Sequence, residues 1–284
     1  MSKKKKLFTL FLALTVVFTM CFAAVPAYAA SGTAITNADE LKAMSANGNY
    51  YLANDIEVPA NLILFTSYDA PFTGTLDGNG HTIKGYTYTA SADWTEQAAL
   101  FGYAKKATFK NLKMSNVNIS LNQAGTAAAL VADSNNCKFI NISVSGKIVG
   151  KSLSTAAGIV AYSYEGGTLT NCKNSADITI TNADEGSSAA GVAGFIGSAG
   201  SMKNCSNSGK ISISGSIEAA SISAAGVVLN VGKATSCKNS GAISVSAIGN
   251  GRMNDECIAA GVAVEVDTAV SCSNTGKVSM NATV

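Results

Sequence analysis

Apolar and polar positions in this chain alternate in short runs that return on a steady beat. The runs ITIT, ISIS, ISVS and VSM each set aliphatic residues on one side and mostly hydroxyls on the other. That is the period of a half-buried β-strand. Each run follows a polar corner: NSA (174–176), NSG (207–209), NSG (239–241) or NTG (274–276). Asn, Ser and Gly in this order are turn chemistry. Ala-Ala pairs at 98, 128, 156, 189, 224 and 259 precede the corners, at spacings of 30, 28, 33, 35 and 35 residues. The runs are too short and too β-branched for helices. One unit cannot bury its own apolar face, but stacked units can. Parallel crossovers are right-handed. The pattern therefore predicts an all-β fold, a right-handed parallel β-helix (solenoid) of about six to seven coils.

Stacking places like residues in columns. Ile178/Ile180, Ile211/Ile213, Ile243/Val245 and Val278/Met280 form one inward set, and Gly191, Gly226 and Gly261 another. Cysteine recurs at Cys137, Cys172, Cys205, Cys237 and Cys272, with Leu112 in that place one unit earlier. This reads as a structural ladder, since a free thiol behaves as a small hydrophobe. Coils about 4.8 Å apart would let disulfides span neighbouring Cα atoms, but stacked side chains run parallel, which favours free thiols. Cys257 lies off the ladder.

The segments AGVAG and AAGIV, followed by NC-x-NSG-x-I, resemble the GLUG repeats of secreted bacterial surface proteins. Upstream, PFTGTLDGNGHTIKGY (71–86) and AALFGYAKKATFKNLKMSNVNIS (98–120) resemble the opening coils of the pectin-lyase-like β-helix superfamily. The resemblance spans about residues 35 to 284 and implies the solenoid fold; activity is not implied, because sites are grafted on folds.

Residues 1–29 read as a secretory signal peptide: Lys3–Lys6, an apolar run from Leu7, and Ala27-Tyr28-Ala29 as the cleavage motif. Residues 30–60 read as an N-terminal cap, with a short helix within 35–49 started by Thr36 and Asp39 and a first strand. That helix is expected to cover the open end of the stack. Residues 61–284 read as the parallel β-helix. No second long apolar span follows the leader, so no membrane span is expected after cleavage. The formal charge is +2, and a leader holding four lysines and no acid leaves −2 when removed. With one arginine, Arg252, the chain shows no footprint for nucleic acid.

Chemistry is sparse. His81 is the single histidine, zinc-type C-x-x-C spacing is absent, and no metal centre or cofactor is expected. Hydrolases on this fold need paired exterior acids. Here the exterior strand positions read as Ser, Thr, Asn and Lys, while Glu96, Asp184, Glu185, Glu218, Asp255 and Glu256 precede the Ala-Ala runs as a solvated edge. The chain is therefore read as not an enzyme. No aromatic residue follows Phe195. Sugar stacking needs exposed rings, which makes Tyr86, Tyr88, Trp94, Tyr162 and Tyr164 the candidate ligand-binding residues. The expectation is a secreted, non-catalytic bacterial β-helix acting as an adhesive or interaction module for extracellular glycans or a host surface. The alternatives are a polysaccharide-active enzyme or its accessory domain, and a structural spacer that self-associates end to end.

Overall fold

Six short strands line one side of the molecule: Glu96–Ala98, Gly125–Ala128, Thr155–Ala157, Ser188–Ala190, Ile222–Ala225 and Cys257–Ala260. They pair in parallel and set Ala98, Ala127, Ala156, Ala189, Ala224 and Ala259 in one column. Ala127, rather than Ala128, thus holds the repeat position. The structure, a computed structural model, describes residues 31–90, 96–122, 124–183, 186–217, 221–249 and 257–283. Gly32–Val284 forms one compact unit; the expected leader, residues 1–29, lies outside the described residues.

Each turn leaves this six-stranded sheet, crosses an 11-stranded sheet, rounds a corner and crosses a 13-stranded sheet. The strand pairings are parallel, with residues stacked turn on turn. The result is an all-β parallel β-solenoid of about six turns. Among the described residues no helix is long and apolar enough to cross a membrane.

The corner between the two large sheets is built by residues in the left-handed region: Asn111 (φ 51), Asn141 (φ 56), Asn171 (φ 56), Asn204 (φ 55), Ser236 (φ 54) and Ser271 (φ 53). Asn visits this region at lower cost than most residues because its short side chain can bond locally. The amides then chain along the corner. Asn141 Nδ2 donates to Asn111 Oδ1 at 2.8 Å, Asn171 to Asn141 at 3.1 Å, and Asn204 to Asn171 at 3.2 Å.

The residue after each corner points inward and makes a file: Leu112, Ile142, Cys172, Cys205, Cys237, Cys272. This corrects the place expected for Cys137. It pairs with Gly167, on the 11-stranded sheet, and Ile142 takes the position in the file. Cys and Ile are interchangeable to a core that reads volume and polarity, so counting cysteines misplaced that turn by five residues. The six described cysteines form no disulfide.

Two residues further on, another inward file runs Met114, Val144, Asn174, Asn207, Asn239, Asn274. It changes from apolar to amide at the turn where the first file changes to thiol. Asn174, Asn207 and Asn239 are each only 2% exposed. Asn174 donates to Asn207 at 2.8 Å, Asn207 to Asn239 at 2.9 Å and Asn239 to Asn274 at 2.7 Å, and the three amides also donate to the carbonyls of Ala176, Gly209 and Gly241 of their own turns. A buried amide needs this full pairing. A third file, Leu76, Phe109, Phe139, Leu169, Met202, Ala234, Ala269, tapers in size from its phenylalanines to its C-terminal alanines. Phe109 and Phe139 stack at 5.4 Å within it.

The N-terminal helix is shorter than expected, Ala38–Lys42, and is started by Asn37 rather than Thr36. Asn37 Oδ1 accepts from the N–H groups of Asp39 and Glu40 at 2.9 and 3.0 Å, while Glu40 reaches back to Thr36. Leu41 and Met44 are buried in the core. His81 sits at the first corner with Nδ1 3.6 Å from Asp55, which also meets Lys84 at 2.8 Å.

Candidate functional site

The outer face of the 11-stranded sheet carries a row that register sets in line: Tyr103, Asp133, Tyr162, Phe195, Asn230, Glu265. Beside it runs a second row, Lys105, Asn135, Tyr164. Period-two alternation turns both rows outward while their neighbours fill the core. Tyr162 lies between two near-parallel rings, Tyr164 at 5.9 Å and Phe195 at 5.4 Å. Its hydroxyl meets Thr155 Oγ1 at 2.5 Å, which ties the ring to the six-stranded sheet. Tyr164 is 55% exposed, leaving a ring face open.

A loop hangs over these rows. Leu64 bridges to Phe101 and Phe72 to Ala104, and Phe65, Phe72 and Phe101 pack at 5.1 to 5.8 Å. Those rings pin both ends of the loop, so the residues between arch outward with Tyr68, 70% exposed, near the tip. Tyr68 meets Tyr103 edge to face at 5.8 Å. Loop and sheet together enclose a cavity of about 310 Å³ lined by Tyr68, Asp69, Tyr103, Asp133, Asn135 and Tyr164, among others. A second recess of about 450 Å³ shares Tyr103 and reaches Tyr88, Gln97 and Thr126.

Asp133 lies at the junction. Gln97 Nε2 donates to its Oδ2. Burial away from water pushes its carboxyl up from 3.8 to about 6, because a half-sequestered carboxylate loses hydration. Asn135 Oδ1 is buried without a hydrogen-bond partner, an acceptor that a ligand hydroxyl or an ordered water would satisfy. Burial, then the charge of Asp133, raises the Tyr164 phenol. The cleft thus offers an open ring face, an acid that holds its proton toward neutrality, and an unspent acceptor.

Of the expected ligand-binding residues, Tyr162 and Tyr164 meet in this cleft. Tyr88 is 8% exposed and borders the second recess. Tyr86 is a correction: it is fully buried, its hydroxyl donating to Leu62 O at 3.0 Å, and it serves the core. Trp94 lies outside the described residues, as do Asp184, Glu185, Glu218, Asp255 and Glu256. Sequence reasoning missed Tyr68, Tyr103 and Asp133. The row was present in the repeat as the sixth residue of ALFGY-type runs: AALFGY, AALVAD, AGIVAY, AGVAGF.

The fold and its outer cleft define the class, a parallel β-solenoid with a ligand-sized recess on one sheet. No known family's sequence profile matches the chain, and no curated protein matches it in sequence. In structure it is similar to a Bacteroides ovatus protein described as a "putative immunoglobulin A1 protease". The TM-score is 0.56 at 16% identity, covering 91% of this chain and 85% of that one. At that identity the likeness carries the fold. The expectation that the chain is not an enzyme is thereby corrected: a protein of this fold is described as a "putative" protease, so the fold does not exclude catalysis. The premise of that expectation fails as well: Asp133 is an acid on an exterior strand position, facing a cavity.

Proposed function

We propose that this chain is a secreted bacterial surface protein of the GLUG and pectin-lyase-like kind, which works outside the cell by holding a glycan in the Tyr164–Asp133 cleft. The carrying observation is the open face of Tyr164 beside Asp133 and the overhanging Tyr68, within one cavity of about 310 Å³. A pyranose presents an apolar face to a ring and hydroxyls at its rim. Asp133 and Asn135 stand where rim hydroxyls would be met. Ring stacking of this kind contributes about 1 kcal/mol. A glycan array on the purified protein, followed by titration calorimetry with the best hit, tests the reading. Tyr164→Ala, at an exposed position, is expected to weaken binding by about five- to tenfold. An array with no hit, or a hit indifferent to Tyr164→Ala, refutes it.

One observation favours a second reading, hydrolysis of the bound glycan. Asp69, from the loop, lines the same cavity as Asp133. An acid whose proton is held up toward neutrality, beside a second carboxyl group, is the kind of pair that glycoside hydrolysis uses. Release of new reducing ends, lost in Asp133→Asn while binding persists, would establish it.

A further inference from the structure

The corner that carries the asparagine chain also gathers lysine. Three outward columns flank it: Thr75, Thr108, Lys138, Thr168, Ser201, Lys233; then Asp77, Lys110, Ile140, Thr170, Lys203, Thr235; and, past the corner, Lys113, Ser143, Lys173, Ser206, Lys238, Ser273. Taken turn by turn, five consecutive turns each present at least one lysine. Lys110 and Lys113 share the first, Lys138, Lys173 and Lys203 occupy the next three, and Lys233 and Lys238 share the fifth. Turns rise by about 4.8 Å, so the ridge carries about one positive charge every 5 Å. Lys113, Lys138, Lys173, Lys203, Lys233 and Lys238 are exposed, and among the described residues none of these six makes an ion pair. The one acid in the three columns, Asp77, meets Lys110 at 3.1 Å at the N-terminal end.

Two further features point to a ligand rather than to a merely solvated face. The first is the spine. Asn141, Asn171 and Asn204 each spend one amide hydrogen along the chain; an amide has two, so a row of donors lies between the lysine columns. Cations and amide donors together receive anions. The second is segregation. Apart from Asp77, which Lys110 already pairs, the described acids on strands of the 11-stranded sheet, Asp133, Glu165, Glu265 and Asp267, fall outside the three columns. A surface charged for solubility alone intersperses the two signs.

We propose that this ridge binds a linear anionic polysaccharide, one bearing a carboxylate or sulfate on each sugar so that its charges recur at about the turn spacing. The small Ser and Thr between the lysines leave the ridge open along its length. Single-stranded nucleic acid is the poorer fit, because the columns offer no outward ring for base stacking. The inference stands apart from the cleft and would survive its failure.

Fluorescence polarisation with labelled polygalacturonate and heparin oligosaccharides, titrated across salt, tests it on the purified protein. A neutral dextran and an oligothymidine serve as controls. The ridge variant is Lys173→Glu/Lys203→Glu/Lys238→Glu. The comparison variant, Lys147→Glu/Lys151→Glu/Lys277→Glu, changes net charge equally at exposed lysines outside these columns. The expected result is binding of at least one anionic oligosaccharide that weakens with salt. The ridge variant should lose at least about tenfold in affinity and flatten the log–log salt slope by about 2. The comparison variant should stay within about twofold. No binding of either anionic probe overturns the proposal. So does equal loss in both variants, which would mean net charge alone, or tighter binding of oligothymidine than of both polysaccharides.

Discussion

Replacing Asn207 with alanine should cost this fold more than replacing any other side-chain amide among the described residues. Asn207 is 2% exposed. Its Oδ1 accepts from Asn174 Nδ2 at 2.8 Å and from Gly209 N–H at 3.2 Å. Its Nδ2 donates to Gly209 O at 2.8 Å and Asn239 Oδ1 at 2.9 Å. Alanine removes all four bonds and strands polar groups on two neighbouring turns. A neutral hydrogen bond contributes about 1 kcal/mol net, and a buried group left unpaired costs about 1–3 kcal/mol. Taking about 1 kcal/mol for each bond gives a loss of about 4 kcal/mol; a water entering the vacated space would lower that figure. The control is Asn204→Gly, on the exposed chain one corner away. It gives up one bond, at 3.2 Å, and glycine tolerates the φ of 55° there. That change should cost under about 1 kcal/mol. Equilibrium urea unfolding followed by far-ultraviolet circular dichroism measures both, with tyrosine fluorescence checking that one transition is compared. If Asn207→Ala falls within about 1 kcal/mol of the parent protein, or costs no more than Asn204→Gly, the buried amide file is not what holds the later turns in register.

Other outcomes follow from the same geometry. Asp133 binds its proton more tightly in the fold, about 6 against an ordinary 3.8, so the unfolded chain sheds that proton first as pH rises. Its contribution therefore favours the fold at acid pH and is lost between about pH 4 and 6; melting temperatures across that window should fall more steeply in the parent protein than in Asp133→Asn, and parallel curves would refute the shift. Cys205 and Cys237 are fully buried, and their ionisation is held back first by hydrogen bonds with neighbouring thiols of the file, Cys172 and Cys205 respectively. Native-state alkylation read by peptide mass spectrometry should label the half-buried Cys257 and Cys272 well before them, and equal rates would contradict the file. At Gly226 an added Cβ would lie 2.0 Å from Gly261 O and 2.5 Å from Asn239 Cγ, so Gly226→Ala should cost about 3 kcal/mol in the same urea assay; an effect below about 1 kcal/mol would show that the turns can separate there.

The interior of this solenoid was legible in its sequence for a physical reason. Alternation over ITIT, ISIS and ISVS assigns faces without ambiguity, and a one-residue slip would turn every aliphatic side chain to solvent. The register pairs Ile178 with Ile211 and Ile211 with Ile243 as that alternation requires. Legibility ended where one residue type stood in for another. Cys137 looks like the fifth thiol of the file, but the corner motif is the reliable marker: Asn111-Leu112, Asn141-Ile142, Asn171-Cys172, Asn204-Cys205. A left-handed corner constrains the backbone and so selects Asn, whereas the core position beyond it accepts any side chain of suitable volume.

That single misplaced turn hid more than a cysteine. Exterior rows inherit their register from the interior, so shifting one turn by five residues breaks every outward column that crosses it. With Ile142 in the file, Lys138 stands level with Thr108 and Thr168, and the lysine ridge becomes continuous. The same register sets Asp133 between Tyr103 and Tyr162, so an acid sought in the loops stands in the aromatic row. The overhanging loop was not legible in this way. Tyr68 reaches the cleft because Phe65 and Phe72 anchor an arch over Phe101, and a contact between turns of unequal length leaves no period in the sequence. In a repeat protein the binding surface can thus be read as far as the columns run, and the parts that interrupt them must be seen.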